Sequence, residues 1–177
     1  MKKIIIIFIL TNLFAKEIFF TRSGTISFYS SALLEDIEAV NHQVTCVLNM
    51  ENGEVAFRVP IHGFTFENAL MQEHFNENYM ESDKFPTAGF KGKVDDLSNI
   101  SFTNEPQDVT LSGQMTIHGV TREISEKGQI SYKDGEYIGH AKFKIVVAEY
   151  EIEIPKIVRD NIAKIVDVTV ELELKKK

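Results

Sequence analysis

The chain has 177 residues, a formal net charge of −7, 44% apolar residues, one cysteine and no tryptophan. That length suits one domain whose core needs no covalent help, and a lone cysteine excludes an internal disulfide and a cysteine-rich metal site. The acidic balance disfavours nucleic-acid phosphates and anionic membrane surfaces as partners.

In chain order, the first fifteen residues stand apart. Lys2 and Lys3 precede an apolar run from Ile4 to Leu10, followed by Thr11, Asn12, Leu13, Phe14 and Ala15. A basic start, an apolar stretch too short to span a bilayer and a small residue before Lys16 predict a signal peptide over 1–15. No cysteine follows the run, so no lipid anchor is expected. Losing Lys2 and Lys3 takes the net charge from −7 to −9. Residues 16–177 then read as one domain without a membrane span, periplasmic or secreted, and Lys175–Lys177 as a solvated end.

The exported part is dominated by a two-residue rhythm. Val166, Val168, Val170, Leu172 and Leu174 alternate with Asp167, Thr169, Glu171 and Glu173, and Tyr137 to Val147 repeats the pattern. Successive side chains of a strand point to opposite faces, so each segment has one dry side. Strands are predicted at 17–21, 25–29, 42–50, 54–61, 89–94, 100–103, 109–118, 122–132, 136–147 and 163–175; the first two could be one bent strand. Asn52-Gly53 and Asp134-Gly135 signal two-residue hairpin turns, which predicts antiparallel neighbours. Such strands must turn their dry faces to a shared interior, an all-β sandwich or closed barrel of about eight strands. Cys46, between Val44 and Leu48 on one such face, reads as a small buried hydrophobe.

Two segments break the rhythm. Leu33–Val40, acidic and short, is expected to form one or two helical turns. Asn68–Met80 is the stronger helix: Met71, Phe75 and Tyr79 recur every four residues, with Gln72, Glu73, Asn76 and Glu77 largely opposite. One short amphipathic helix between strands would cover a barrel mouth or a sheet edge.

This helix segment, Glu73-His74-Phe75-Asn76-Glu77-Asn78-Tyr79-Met80-Glu81-Ser82, continues as Lys84-Phe85-Pro86 and Ala88-Gly89-Phe90. Together with Gly113-Gln114-Met115-Thr116-Ile117-His118-Gly119-Val120-Thr121 and Gly24-Thr25-Ile26-Ser27-Phe28, it resembles the YceI-like family of periplasmic lipid-binding proteins. The resemblance implies a lipocalin-like antiparallel β-barrel enclosing an isoprenoid or similar long apolar molecule, often as a homodimer. The chain departs from the family in the strand before the last. Where many members carry Arg-x-x-Phe/Tyr-Gly, it has Val146-Val147-Ala148-Glu149-Tyr150-Glu151.

Phe28, Phe57, Val59, Phe90, Leu111, Met115, Ile117, Tyr137, Phe143, Ile145 and Val168 are expected to build the interior. Thirteen Phe and no Trp suit that wall, because Phe buries no polar atom. Pattern alone leaves open whether the interior is filled or holds one small ligand. If it is hollow, Met71, His74, Phe75, Tyr79, Met80 and Phe85 would line the entrance, joining Phe28, Phe57, Phe90, Met115, Ile117 and Phe143 as ligand contacts. Burying about 400 Å² of an isoprenoid at ~25 cal/mol/Å² gives roughly 10 kcal/mol gross, against an association cost of about 4–15 kcal/mol. A preformed dry tunnel therefore decides affinity.

His42, His62, His74, His118 and His140 are dispersed, without the close spacing of a metal site. No metal or cofactor is expected, beyond a bound polyprenyl lipid or isoprenoid quinone. His118, before Gly119 at a strand end, reads as hydrogen-bonded to a neighbouring turn; His74 reads as a satisfied structural histidine or a polar cap on the tunnel. No Gly-x-Ser-x-Gly elbow or phosphate-cradling loop is present, so no catalytic residue is assigned. Two rivals to an apolar-chain carrier are an interaction module with a filled barrel and an enzyme acting in the cavity through His74, His118 or Tyr79.

Overall fold

The computed structural model describes residues 17–34, 36–155 and 162–177; the predicted signal peptide lies outside them. Nine strands are present: β1 (Ile18–Ser31), β2 (Asp36–Asn49), β3 (Glu54–Pro60), β4 (Phe64–Phe66), β5 (Thr87–Val94), β6 (Gln107–Ile117), β7 (Val120–Lys133), β8 (Glu136–Val146) and β9 (Ile165–Lys176). They form one antiparallel sheet in the order β1-β9-β8-β7-β6-β5-β3-β2-β4, and pairing of β1 with β2 closes it on itself. Eight strands make the barrel, and short β4 is the extra one, paired with β2 alongside β3.

The inward faces follow the alternation, with two corrections of parity. In β1 the register slips between Thr21 and Gly24 and again before Ile26. The bulge turns Phe19 and Thr21 inward on one side of it and Ile26 and Phe28 inward on the other, so of the one bent strand or two that the sequence allows, the chain forms one. Opposite it, β2 buries Ala39 and Asn41, then Val44, Cys46 and Leu48. Asn41 is fully buried and satisfied: its Nδ2 donates to the Pro60 carbonyl at 2.7 Å and its Oδ1 accepts from the Gln43 N–H at 2.7 Å. Cys46 is fully buried, and burial pushes its thiol up to about 12.

Three local expectations are corrected. Asp36–Val40 is strand rather than helix, because Ser31 to Tyr29 pair with Asp36 to Glu38 across the hairpin and Ile37 and Ala39 already sit on the inward parity. Residues 100–103 form no strand; a 3-10 turn at Leu97–Asn99 leads into an irregular stretch whose Ile100 and Phe102 pack on the core and whose Thr103 carbonyl accepts from the Tyr132 N–H at 2.7 Å. Asn52-Gly53 closes a four-residue loop, 50–53, in which the Gly53 N–H donates to the Asn49 carbonyl at 2.9 Å. Asp134-Gly135 does form the two-residue turn, with φ of 53° and 90°, the left-handed pair that glycine makes inexpensive.

The helical segment is α1 (Ala69–His74) followed by one π-helical turn, Phe75–Tyr79. Asn68 caps it by accepting from the Leu70 N–H at 2.9 Å. In the π turn the Met80 N–H reaches back to the Phe75 carbonyl at 2.9 Å. The wider turn brings both Tyr79 and Met80 to the side Phe75 faces, which a regular helix would not do. Among the described residues no helix is long and apolar enough to cross a membrane.

Candidate functional site

The barrel has a packed half and a hollow half. Phe19, Leu48, Val55, Val94, Val109, Ile130, Tyr137, Leu172 and Leu174 fill one end. Phe19 meets Tyr137 edge to face at 4.6 Å, and Phe102 from the β5–β6 connection closes over the same ring at 5.1 Å. Tyr137, expected in the interior wall, belongs to this plug.

Toward the other end the inward side chains stop touching one another. Phe28, Phe57, Leu111, Met115, Phe143 and Ile145 have inward parity yet are only half-buried, because part of each faces a cavity of about 360 Å³. That volume lies at the low end of the roughly 300–1,000 Å³ of ligand pockets. The lining is apolar apart from Ser30, His74, Tyr79 and Glu126, and Ser30 is already engaged, accepting from the Ala163 N–H at 3.0 Å. Burial pushes the Tyr79 hydroxyl up.

Helix α1 and its π turn lie across this end. Phe75 is the anchor, 5.0 Å from Phe66, 5.5 Å from Phe64 and stacked on Phe28 at 5.6 Å. The aromatic nest therefore joins β1, β4 and the helix, and Phe64-Thr65-Phe66 supplies two of its rings through pairing with Ala39–Asn41. Met71, Tyr79 and Met80 complete the helix's share of the lining, and His74 stands exposed at the rim.

A second closing element is the 3-10 turn Val147–Tyr150, which ends β8 where the family pattern reads Arg-x-x-Phe/Tyr-Gly. Val147 and, after it, Ile152 and Ile154 face the cavity. Glu151 takes the glycine position and holds a left-handed φ of 56°. Arg122 donates from Nε to the Glu149 carbonyl. His118 ties both closing elements together: Nδ1 lies 3.2 Å from the Tyr150 carbonyl oxygen and Nε2 lies 2.9 Å from Glu81 Oε2, just past the π turn.

All the predicted contact residues border the cavity except Phe85. Phe85 packs outside it, 4.5 Å from the His118 ring and against Gly119, whose φ of 76° and missing side chain make room for it. Its place in the signature had suggested an entrance role; it props His118 instead. The cavity also takes in residues not named from the sequence, among them Ile26, Phe64, Phe66, Ile124 and Glu126. Strand parity pointed to Ile26, two positions before Phe28, and to Glu126, two before Gly128, whereas Phe64 and Phe66 lie on the short β4, which alternation does not reveal.

One cluster has the residue types of a nucleophilic triad. Ser82 Oγ lies 3.5 Å from His62 Nδ1, and His62 Nε2 lies 3.4 Å from Asp83. Ser82 is 2% exposed and its hydroxyl donates to the Asn76 carbonyl at 3.2 Å, so it fastens the π turn and presents no nucleophile to solvent. Among the described residues no group of three or more His, Cys, Asp or Glu side chains is placed to hold a metal.

The family model that matches is the YceI-like domain, over residues 19–174. The chain belongs to the YceI-like family. Solved structures share the barrel. A polyisoprenoid-binding domain from Saccharophagus degradans, described as implicated in plant cell wall breakdown, aligns with TM-score 0.79 at 14% identity, covering 92% of this chain and 100% of that one. BcnA of Burkholderia cenocepacia aligns with TM-score 0.71 at 10% identity, over 86% of this chain and 96% of that one. The Campylobacter jejuni YceI protein gives 0.60 at 17% identity, over 78% and 85%. At these identities the likeness shows the fold. No curated protein sequence matches.

Proposed function

We propose that this YceI-like barrel is an exported carrier that holds a polyisoprenoid or similar long apolar molecule in its hollow half. The observation that carries the reading is the cavity itself: inward Phe, Met, Leu and Ile side chains left half-bare around about 360 Å³. Bare apolar surface inside a protein is costly, and a guest that covers it recovers roughly 25 cal/mol per Å². A few isoprene units suit such a volume, and a longer chain would leave past helix α1. The Saccharophagus relative, described as a polyisoprenoid-binding domain, supports the same ligand class.

Binding is the reading that an almost wholly apolar wall supports, its polar groups among the described residues being Ser30, His74, Tyr79 and Glu126. Export rests on the signal peptide expected at 1–15 and fits the periplasmic setting of the family resemblance; N-terminal sequencing of the exported form should begin at Lys16. Dimerisation is proposed by analogy, to be read by light scattering.

Native mass spectrometry and solvent extraction of the purified protein test the carrier reading. The expected result is a co-purified apolar molecule. After its removal, an added isoprenoid at about a hundredfold above its Kd should raise Tm by about 5–10 °C. Lipid-free preparations whose Tm ignores added isoprenoids would overturn it.

A further inference from the structure

We propose that the guest ends in a hydroxyl or an ammonium, a hydrogen-bond donor rather than an anion, and that Glu126 receives it. The inference rests on the carrier reading and adds to it the chemistry of the guest's end.

Glu126 is the one carboxylate in the cavity wall among the described residues. It lies on β7 directly across from Leu111 of β6, with Ile124 two positions before it and Gly128 two after. Apolar side chains make up nearly all the remaining wall. Burial, with no neighbouring charge or hydrogen bond behind it, holds the carboxyl above the usual carboxylate range. A polar group in such a place is costly until a partner reaches it.

The backbone beside Glu126 is polar as well. The ladder joining β7 to β8 runs from Lys133 opposite Glu136 only as far as Gly128 opposite Ala141. Both strands go on, β7 back to Val120 and β8 on to Val146, each still paired on its other side. Glu126 is the first inward side chain past the point where they part. Beyond it, among the described residues, facing N–H and C=O groups of the two strands have no ladder partner in each other, so a polar seam runs through a wall that is otherwise hydrocarbon. A purely hydrocarbon guest would leave carboxyl and seam unmatched.

The charge of the wall sets the sign of the preference. His74 is its one basic side chain among the described residues, and it stands at the rim. Arg122, on the same strand as Glu126, is committed to the Glu149 carbonyl. A phosphorylated chain would bring an anion up to a carboxylate in apolar surroundings, where like charges repel strongly. A hydroxyl donates to the carboxylate, and an ammonium also supplies a counter-charge.

Four probes on one carbon skeleton test this: farnesol, farnesylamine, farnesyl diphosphate and the saturated hydrocarbon farnesane, titrated against lipid-free protein. The alcohol and the amine should bind about tenfold or more tightly than farnesane, with the diphosphate weakest. Glu126→Leu should erase the advantage of alcohol and amine while leaving farnesane as tight or tighter. Glu126→Gln, which keeps size and an accepting oxygen, should spare the alcohol and weaken the amine; thermal melting checks that both variants fold. Farnesane binding with end groups making no difference, or the diphosphate binding tightest, overturns the assignment of Glu126 and leaves the carrier reading intact. If none of the four binds, the carrier reading falls and this inference falls with it.

Discussion

Glu126 is a half-buried acid with hydrocarbon for neighbours, and its ionisation has a measurable cost. Its carboxyl sits above its ordinary value of 4.5 because burial disfavours the charged form. The folded chain therefore holds this proton more tightly than the unfolded chain does. The group's contribution to stability is complete below about 4.5 and is lost as pH rises through the elevated value. Glu126 is also felt by Tyr150, whose hydroxyl is pushed up by burial first and then by Glu149, with Arg122 opposing and Glu126 adding to the rise. In lipid-free protein, Glu126→Gln should be close to wild type in stability at about pH 4 and more stable at about pH 7, read by denaturant unfolding at each pH. Equal differences at both would contradict the burial account. This residue was legible by counting: Ile130, Gly128, Glu126 and Ile124 share one parity. It hides because Ser125-Glu126-Lys127 looks like an ordinary wet surface.

At the scale of elements, His118 is the strut between the two pieces that close the hollow end. It bridges Glu81, after the π turn, and Tyr150, in the 3-10 turn, with Phe85 packed on its ring. Its side chain is 10% exposed, so its hydrogen bonds count for more than surface ones would. His118→Ala should cost about 1–3 kcal/mol and speed amide exchange at both 75–82 and 147–151 together. Faster exchange at only one of them would mean that they are not coupled through this ring. The sequence had His118 reaching one turn; that it reaches two follows from tertiary placement, which no spacing encodes. Helix α1 was legible from Met71, Phe75 and Tyr79. Its π turn was not, and that turn is what sets Met80 beside Tyr79. Strand β4 escaped notice because three residues are too few for alternation to register, and Asp36–Val40 because its acids suggested one or two helical turns.

At the scale of the whole molecule, one rhythm builds two kinds of interior. Alternation gave the barrel and its inward faces, but it is identical in the plugged and hollow halves. The difference lies in volume: Phe102 and the 95–106 connection fold over one end, and among the described residues no such connection fills the other. Mutational cost should follow that split. Leu48→Ala, in the plug at 2% exposure, should cost about 2–5 kcal/mol, whereas Met115→Ala, already bare on its cavity side, should cost about 1 kcal/mol in lipid-free protein. Chemical denaturation of both variants checks the ratio, and similar losses would mean that the hollow half is as tightly packed as the plug.

The incomplete β7–β8 pairing has a mechanical side. A hoop of staves laced along every joint resists stretching, because any increase in girth must tear lacing. This hoop is unlaced over half of one joint, and the slack falls beside the hollow half. Dilation there severs no rung of the ladder and, among the described residues, strains only the Arg122–Glu149 and His118–Tyr150 hydrogen bonds at the rim, so the bore yields to thicker or thinner contents more easily than the stoppered base.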